Sequence, residues 1–516
     1  MYAHTALLYH TADTHSGLPV RTMSRHAYEP VIGLEVHCQL QTWSKAFSAD
    51  SAAFGAQPNR HVDPISLGHP GTLPVLNRRV VEFAIRMGLA THCQIAERSI
   101  LARKHYFYPD LPKGYQISQY EAPLCVNGYV AITSRGESGE RRIGITRIHI
   151  EEDAGKSIHD QDPSDSLLDF NRCGVPLIEI VSEPDLRSAH EAYLYMHKIR
   201  QLVRYLGICD GNMEEGSLRC DANVSVRPRG DSRLGVKTEI KNMNSFRNVE
   251  RAIDHEISRQ IRRKTEGSDI EHQTMLWDAG RQETRIMRTK EEAHDYRYFP
   301  DPDLPPIVVT AERLATIREA LPELPDARRQ RFMRTLALPA YDAALLTEER
   351  PLADYFERAL AALHALDADG ELALQAKLLS NLVMTDVLRT LNERGHSMDA
   401  FPIEADRLAG LALLRHKDQA SSSGAQEIFN KMLDDPRSAL EIAEAHQLLQ
   451  VSDEGALLPV VEQVLSRHAD KVDTYLSGKH SLIGFFIGQV MRSYDGSPNP
   501  KLVRSLLEKT LAARRD

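Results

Sequence analysis

The sequence has few cysteines, no long apolar run and no excess of positive charge, and each absence excludes a class of protein. Only six of its 516 residues are cysteine, with no CxxC pair among them, so free thiols are expected rather than a disulfide framework. The best apolar stretch, residues 482–490, is far too short to span a bilayer. A net charge of −9 argues against a surface coated in basic residues, although a local basic patch can still bind RNA.

The N-terminal residues lack the apolar core of a signal peptide. We therefore expect a cytoplasmic protein that has no membrane partner. The common nucleotide-binding motifs are also missing, because the chain has no Walker A loop, no GxGxxG segment leading into a helix and no kinase-type catalytic loop. A nucleotide site in this chain would therefore be a carboxylate-lined sheet rather than a glycine-rich loop.

The chain divides into parts of different character, and its length predicts roughly two to four domains. Residues 1–27 are expected to form a loose extension, and residues 28–308 mix alternating strands with helical stretches. Residues 309–446 are rich in alanine, leucine and charged residues at helical spacing, and residues 447–516 are expected to form a small helical tail. The predicted fold class is therefore α+β, with the strands in the first part.

Three segments alternate acids or a histidine with aliphatic residues, around Glu35 and His37, around Glu151, and around Glu179. This alternation has the period of a strand with one apolar face and one carboxylate-bearing face. Several such strands in one sheet would crowd negative charge, which protonation, cationic side chains or a metal ion must neutralise. Carboxylates with one imidazole favour Mg²⁺ or Mn²⁺.

The segment 147–156 leaves one assignment open. Arg147, His149 and Glu151 alternate with isoleucines, so strict alternation puts Glu151 on the polar face and Glu152 on the apolar face, unless the strand ends or bulges there. A solvated acidic turn is the alternative, but it does not explain the aliphatic alternation that leads into it.

Two later segments add acids and cations to the predicted polar face. Asp221 alternates with apolar residues in one segment, and Glu239 lies between Lys237 and Lys241 in the other. A sheet face of this composition would suit a metal-bridged triphosphate, because carboxylates hold Mg²⁺ and cations neutralise the charge on a transferring phosphoryl group. Any one of these acids taken singly is more often a solvated strand residue. Together they predict Mg²⁺-dependent phosphoryl chemistry.

At these segments the sequence resembles GatB, a component of the tRNA-dependent Asp/Glu amidotransferases. The matching stretches follow one order over residues 28–516 and include VIGLEVHCQL, RKHYFYPDLPKGYQISQYE, ITRIHIEEDAGKS, DFNRCGVPLIEIVSEPDLRS and MEEGSLRCDANVSVRP. The final part resembles the YqeY proteins. The resemblance implies a glutamine-synthetase-like mixed sheet cradle, followed by an all-helical domain and a small YqeY-like tail that binds tRNA.

The resemblance also implies an activity and partners. ATP, with Mg²⁺, would phosphorylate the side-chain carboxylate of misacylated Glu-tRNA(Gln), Asp-tRNA(Asn) or both, because a carboxylate oxygen is a very poor leaving group. Ammonia would then displace the phosphate. A GatA-type amidase would release that ammonia from glutamine, and a small GatC-type subunit would complete a heterotrimer.

The resemblance further implies roles for individual residues. It places the metal ligands on Glu35, His37, Glu152 and Glu179. Because alternation favours Glu151 over Glu152, both glutamates stay candidates. The other expected site residues are an acid, Asp221, and four candidates for contacts to nucleotide, phosphate or the ammonia channel, namely Lys104, Lys113, Glu239 and Arg297.

Three alternatives compete with this interpretation. An archaeal GatE-type subunit carries a large insertion ahead of its tail, and the chain has no room for one. A tRNA-binding scaffold without catalysis would not need Glu35, His37 and Glu179. A free-standing glutamine-synthetase-like ligase would leave the RNA-binding C-terminal part unexplained.

Overall fold

The structure is a computed structural model that describes residues 27–133, 139–159, 161–162, 164–289 and 296–514. The expected N-terminal extension, residues 1–27, lies outside these ranges except for its last residue. The chain forms two compact units, of which the first ends at Leu321 and the second begins at Pro322.

The described strands are short except for those that form the centre of the first unit. In chain order they are β1 (Tyr28–Gln39), β2 (Gln94–Ile95), β3 (Arg98–Ser99), β4 (Ala102–His105), β5 (Tyr115–Ser118), β6 (Cys125–Ile132), β7 (Arg141–Glu152), β8 (Lys156–Ile158), β9 (Leu167–Asp169), β10 (Pro176–Ser182), β11 (Leu218–Pro228), β12 (Thr238–Lys241), β13 (Gln273–Asp278), β14 (Glu283–Thr289), β15 (Phe299–Pro300), β16 (Ile307–Val308), β17 (Gln450–Val451) and β18 (Ser497–Pro498).

The helices lie mostly in the second unit. In chain order they are α1 (Arg78–Ala90), α2 (Ala189–Tyr205), α3 (Phe246–Thr265), α4 (Ala311–Glu319), α5 (Pro325–Thr335), α6 (Ala340–Leu346), α7 (Arg350–Leu366), α8 (Leu372–Leu382), α9 (Leu388–Arg394), α10 (Ala405–His416), α11 (Ser422–Met432), α12 (Ala439–Ala445), α13 (Glu454–Arg467), α14 (Ala469–Leu476), α15 (Ile483–Ser493) and α16 (Pro500–Ala512).

Within the described residues, a nine-stranded mixed sheet forms the centre of the first unit, in the order β14-β13-β12-β11-β1-β10-β7-β6-β2. Its neighbouring strands are antiparallel except for β12 and β13, which are parallel. Helices α1, α2 and α3 pack on one face of the sheet. Residues such as Val36, Ile148 and Ile178 are fully buried on that face, because strict alternation points one set of side chains at the helices. The opposite face carries the polar set.

The first unit extends past the boundary expected at residue 308. Strand β16 pairs with β3, with Val308 opposite Arg98, and helix α4 then packs against α1. Ile317 of α4 is buried, so this helix contributes to the core of the first unit. The edge therefore falls after α4 rather than before it.

The second unit is helical, and its described apolar side chains form two clusters. One includes Phe332, Phe356 and Phe429, and the other includes Val461, Phe486 and Leu507. None of the helices in the described ranges is both long enough and apolar enough to cross a membrane. All six cysteines are free and buried, as expected. The predicted α+β class, with strands first and helices afterwards, is confirmed.

Candidate functional site

The register of four adjacent strands aligns the predicted residues across the polar face of the sheet. His37 on β1 lies opposite Glu179 on β10, and Glu179 lies opposite His149 on β7. On the other side, His37 lies opposite Arg219 of β11. Directly opposed residues of antiparallel strands point to the same face with neighbouring side chains, so these residues form one continuous row.

A first cluster of possible metal ligands combines His37 and Glu179 of this row with Glu151, which lies two residues after His149 on β7. One ligand atom each of His37, Glu151 and Glu179 lies within 4.8 Å of the others. His37 Nε2 is 3.5 Å from Glu179 Oε2. His149 Nε2 lies 3.2 Å from Glu151 Oε1 and 3.3 Å from Glu179 Oε2, so a second imidazole borders the same two carboxylates. His149 was not among the predicted ligands, although its alternation with Glu151 already placed it on this face.

The charges within this cluster compensate one another. Burial opposes ionisation of Glu179, but the charges of His149 and His37 outweigh it and hold the pKa of Glu179 well below its usual range. Burial also disfavours a protonated His149, yet Glu179 and Glu151 raise its pKa to about 9. The two carboxylates therefore attract positive charge strongly, whether it is carried by protons or by a metal ion.

A second cluster lies beside the first on the same face. Ligand atoms of Glu35, Asp221 and Glu239 lie within 4.8 Å of one another, because Glu35 is opposite Asp221 in the β1–β11 register. Asn223 donates to Glu35 Oε1 at 2.9 Å. Lys241 donates to Asp221 and lies 3.4 Å from Glu239 Oε1, so one cation partly neutralises the three acids.

Glu152 lies apart from both clusters. Its side chain accepts hydrogen bonds from Lys113 Nζ and, at 2.9 Å, from the Ile117 backbone N–H. Strand β7 continues through Glu152 with regular pairing to β10, so neither a strand end nor a bulge turns this residue towards His37. The geometry therefore replaces Glu152 by Glu151 in the candidate ligand set.

The three predicted cations have different surroundings. Lys104 Nζ lies 3.8 Å from Glu151 Oε1 and 5.2 Å from the centre of the Tyr296 ring, which places it beside the first cluster. Lys113 is bound to Glu152. Arg297 is exposed, and among the described residues it joins neither cluster; its carbonyl oxygen lies 3.2 Å from His105 Nδ1.

Both clusters fit a divalent cation. Each offers three hard or borderline donors, either carboxylates alone or carboxylates with one imidazole, and this is the donor chemistry that Mg²⁺ and Mn²⁺ accept. Two nearby polar atoms, His149 Nδ1 and Asn223 Oδ1, are buried and have no hydrogen-bond partner among the described residues. A site that leaves such atoms open is polar enough to receive a ligand.

Adjoining cavities make the polar face accessible. A cavity of about 780 Å³ is lined by Gln39, Phe54 and Asp221, and it adjoins a cavity of about 460 Å³ that is also lined by Gln39 and Phe54, together with Trp43. Further along the face, Glu35 and Val181 line a third cavity of about 310 Å³. A substrate could thus reach Asp221 and Glu35 of the second cluster along the face.

Comparisons with known proteins agree with this architecture. Residues 30–315 match the GatB/GatE catalytic domain, and residues 364–511 match the GatB domain of the YqeY type. The B-type subunit of the aspartyl/glutamyl-tRNA(Asn/Gln) amidotransferase of Salinibacter ruber is 60% identical over 502 residues, covering 96% of this chain and 99% of the relative. The corresponding subunits of Chlorobium luteolum and Geobacter sulfurreducens are 54% and 52% identical, each covering 94% of this chain and 99% of the relative.

The protein is of the α+β class. Its mixed sheet has one face covered by helices and one face rich in acids that forms the candidate site, and a helical unit follows the sheet in the chain. The site lies wholly within the part that matches the catalytic domain. The chain belongs to the GatB/GatE family. The resemblance found in the sequence is therefore confirmed.

Proposed function

We propose that the chain is the subunit of a tRNA-dependent amidotransferase that activates the side-chain carboxylate of Glu-tRNA(Gln), Asp-tRNA(Asn) or both and converts it to the amide. The observation that carries the proposal is the pair of ligand clusters, His37 with Glu151 and Glu179, and Glu35 with Asp221 and Glu239, on one accessible sheet face. The names of the relatives as amidotransferase subunits support it. The same names favour GatB over a GatE-type subunit.

The proposed chemistry explains why an acid-rich face is useful. ATP is the phosphoryl donor, and Mg²⁺ held by the two clusters would neutralise its triphosphate charge. The substrate carboxylate attacks the γ-phosphorus, the bond to ADP breaks, and an acyl phosphate forms. Ammonia then adds to the carbonyl carbon and inorganic phosphate leaves. Lys241 and Asn223, which contact the acids, hold the carboxylates in place during both steps.

The paired lysines are better suited to positioning than to binding phosphate. Lys104 faces Glu151 and Lys113 is bound to Glu152, so a phosphate would have to compete with a buried carboxylate for each ammonium group. We propose that Lys104 orients Glu151 towards the first cluster. Lys113 would hold Glu152 away from it.

We propose that the partners are a GatA-type amidase, which supplies ammonia from glutamine, and a small GatC-type subunit. The relatives are named as single subunits of an amidotransferase, which supports an assembly of several chains. The helical second unit, with its YqeY-type match, would bind the body of the tRNA by shape and backbone contacts. Such a complex would act in the cytoplasm, where charged tRNA is found.

The decisive experiment reconstitutes the complex with its partner subunits and Glu-tRNA(Gln). We expect amide formation to require ATP, Mg²⁺ and a nitrogen donor, with ADP formed in step with the product. Free ammonia should replace glutamine but should not replace ATP. Formation of Gln-tRNA without a nucleoside triphosphate would contradict the proposal, and ATP-dependent amidation by a complex without this chain would leave only the scaffold alternative.

Two exposed aromatic residues mark the expected entry of the tRNA 3′ end. Trp43 and Phe54 are 97% and 76% exposed, and both line the cavity of about 460 Å³. Single-stranded nucleotides stack on aromatic side chains, with a loss of about 1–3 kcal/mol per base on alanine substitution. Trp43→Ala should therefore raise the KM for charged tRNA roughly 5- to 150-fold and leave kcat nearly unchanged.

The matched control for this variant is Ile286→Ala, which removes a 63% exposed apolar side chain from strand β14. It should leave the KM for charged tRNA unchanged. If Trp43→Ala instead weakens assembly with the partner subunits at constant tRNA affinity, then the aromatic pair is a protein contact and the proposed entry is wrong.

A further inference from the structure

Arg147 lies on the polar face of the sheet across from the second cluster. It is on β7, two residues before His149, and opposite Val181 of β10. Val181 is in turn opposite Glu35 of β1. The resulting row reads Asp221, Glu35, Val181 and Arg147 from β11 to β7, with acids at one end and a guanidinium at the other.

Arg147 differs from the neighbouring cations in having no counter-charge. Lys104 faces Glu151, Lys241 is bound to Asp221, and Arg219 donates to Asp153 at 2.7 Å. Within the described parts of the chain, Arg147 forms no ion pair, and its Nε is buried without a hydrogen-bond partner. Leaving a buried donor unsatisfied costs about 1–3 kcal/mol, and more for a charged group. An anion from outside the chain would satisfy it.

The spacing of this row would suit a small oxyanion between Arg147 and the acids. Adjacent strands are 4.7–4.9 Å apart, so two strand steps separate the backbones of Arg147 and Glu35 by about 10 Å. In the strand register Val181 stands between them. Val181 is half-buried and lines the cavity of about 310 Å³ together with Glu35, and Arg147 is the next residue of the row beyond it. An anion above Val181 would have the acid cluster on one side and the guanidinium on the other.

We propose that Arg147 binds the phosphoryl group during its transfer to the substrate carboxylate, an assignment that rests on the proposed function. In this step the bond between the γ-phosphorus and the bridging oxygen breaks, with its electron pair leaving on ADP. A bond from a carboxylate oxygen to the γ-phosphorus forms. Negative charge spreads over the three equatorial oxygens, and the planar fork of a guanidinium can donate to two of them at once.

The test compares Arg147→Gln and Arg147→Lys in the reconstituted complex. Removing one preorganised donor to a developing oxyanion typically lowers kcat by about 10²–10³-fold, so Arg147→Gln should reduce tRNA-dependent ADP formation by that factor. Arg147→Lys keeps the charge but loses the fork, and its rate should lie in between.

The control is Arg142→Gln, which changes an exposed arginine on the same strand, packed 4.5 Å from the centre of the Tyr129 ring. Its rate should stay within about twofold of the unsubstituted complex.

A binding measurement separates this role from a structural one. ADP with fluoroaluminate mimics the transferring phosphoryl group, and Arg147→Gln should weaken its binding at least tenfold while changing the affinity for ADP alone less than twofold. Mn²⁺ binding should stay unchanged, and the unfolding temperature should not fall, since the substitution removes a buried donor that has no partner among the described residues. Unchanged binding of the fluoroaluminate complex, or an equal loss of ADP and Mn²⁺ affinity, would overturn the assignment. The failure of the proposed function looks different, because the unsubstituted complex would then make product without ATP.

Discussion

Glu179→Gln should abolish ATP-dependent amidation while leaving the partner amidase active. Glu179 is the residue that both imidazoles share, with His37 Nε2 at 3.5 Å and His149 Nε2 at 3.3 Å. A neutral amide of the same shape cannot balance the charge of a divalent cation. The loss of transition-state stabilisation by a bound metal is several kcal/mol, and about 4 kcal/mol corresponds to roughly a thousandfold in rate. The measurement is ADP formation with charged tRNA, alongside glutaminase activity in the same complex.

The control for this variant is Glu183→Gln, near the end of the same strand. Glu183 accepts a hydrogen bond from Thr146 at 2.7 Å and belongs to neither cluster. The Glu183→Gln complex should retain at least about half of the ATP-dependent amidation activity. Full amidation by the Glu179→Gln complex would show that the first cluster is a set of structural ion pairs, since a catalytic ligand cannot lose its charge without effect.

Alternation in the sequence was sufficient to predict the strands that carry the two clusters, which are β1, β7, β10, β11 and β12, and most of the polar face. Glu35 and His37 lie two residues apart on β1, and Glu179 was placed on an acidic strand face. The structure has all three on one face, because a side-chain period of two leaves no choice once one face is buried. The same rule favoured Glu151 over Glu152, and the structure has that arrangement.

The order of the strands could not be predicted in this way. Strand β1 lies between β10 and β11, which are far from it in the chain, and only this order brings His37 opposite Glu179 and Glu35 opposite Asp221. The division of the acids into two clusters therefore follows from long-range pairing. Local periodicity carries no information about such pairing.

The residues that surround the lysines could not be predicted from the sequence either. Lys104 and Lys113 lie on or near the small sheet that includes β4 and β5, and their partners on β7 are set by how that sheet packs against the large one. Arg297, a candidate for phosphate or channel contacts, is exposed, and its role stays a prediction. In each case the sequence supplied a cation, and tertiary packing decided which carboxylate, if any, it met.

Removal of divalent cations should stop the reaction completely, and their return should stabilise the protein as well as restore activity. Each cluster gathers three ligand atoms that lie within 4.8 Å of one another, a concentration of negative charge that does not persist in an unfolded chain. A ligand at 100 times its Kd stabilises the folded state by about 2.7 kcal/mol. A chelator-treated sample should therefore unfold at a lower temperature than one with saturating Mn²⁺, measured without ATP or tRNA.

The pH dependence of Mn²⁺ binding gives the sharper form of this prediction. An imidazole must be neutral to act as a ligand, so protons compete with the metal at His37. Burial disfavours the protonated form, but the Glu179 charge outweighs it and raises the pKa of His37 above its usual value. Competition should therefore begin at a higher pH than for an ordinary histidine, and Mn²⁺ affinity should fall as the pH is lowered through neutrality. In His37→Gln, Mn²⁺ binding at the second cluster should remain, and the pH dependence at the first cluster should become weaker, because His149 still borders Glu151 and Glu179. Mn²⁺ binding that is independent of pH in the unsubstituted chain would place the metal away from His37.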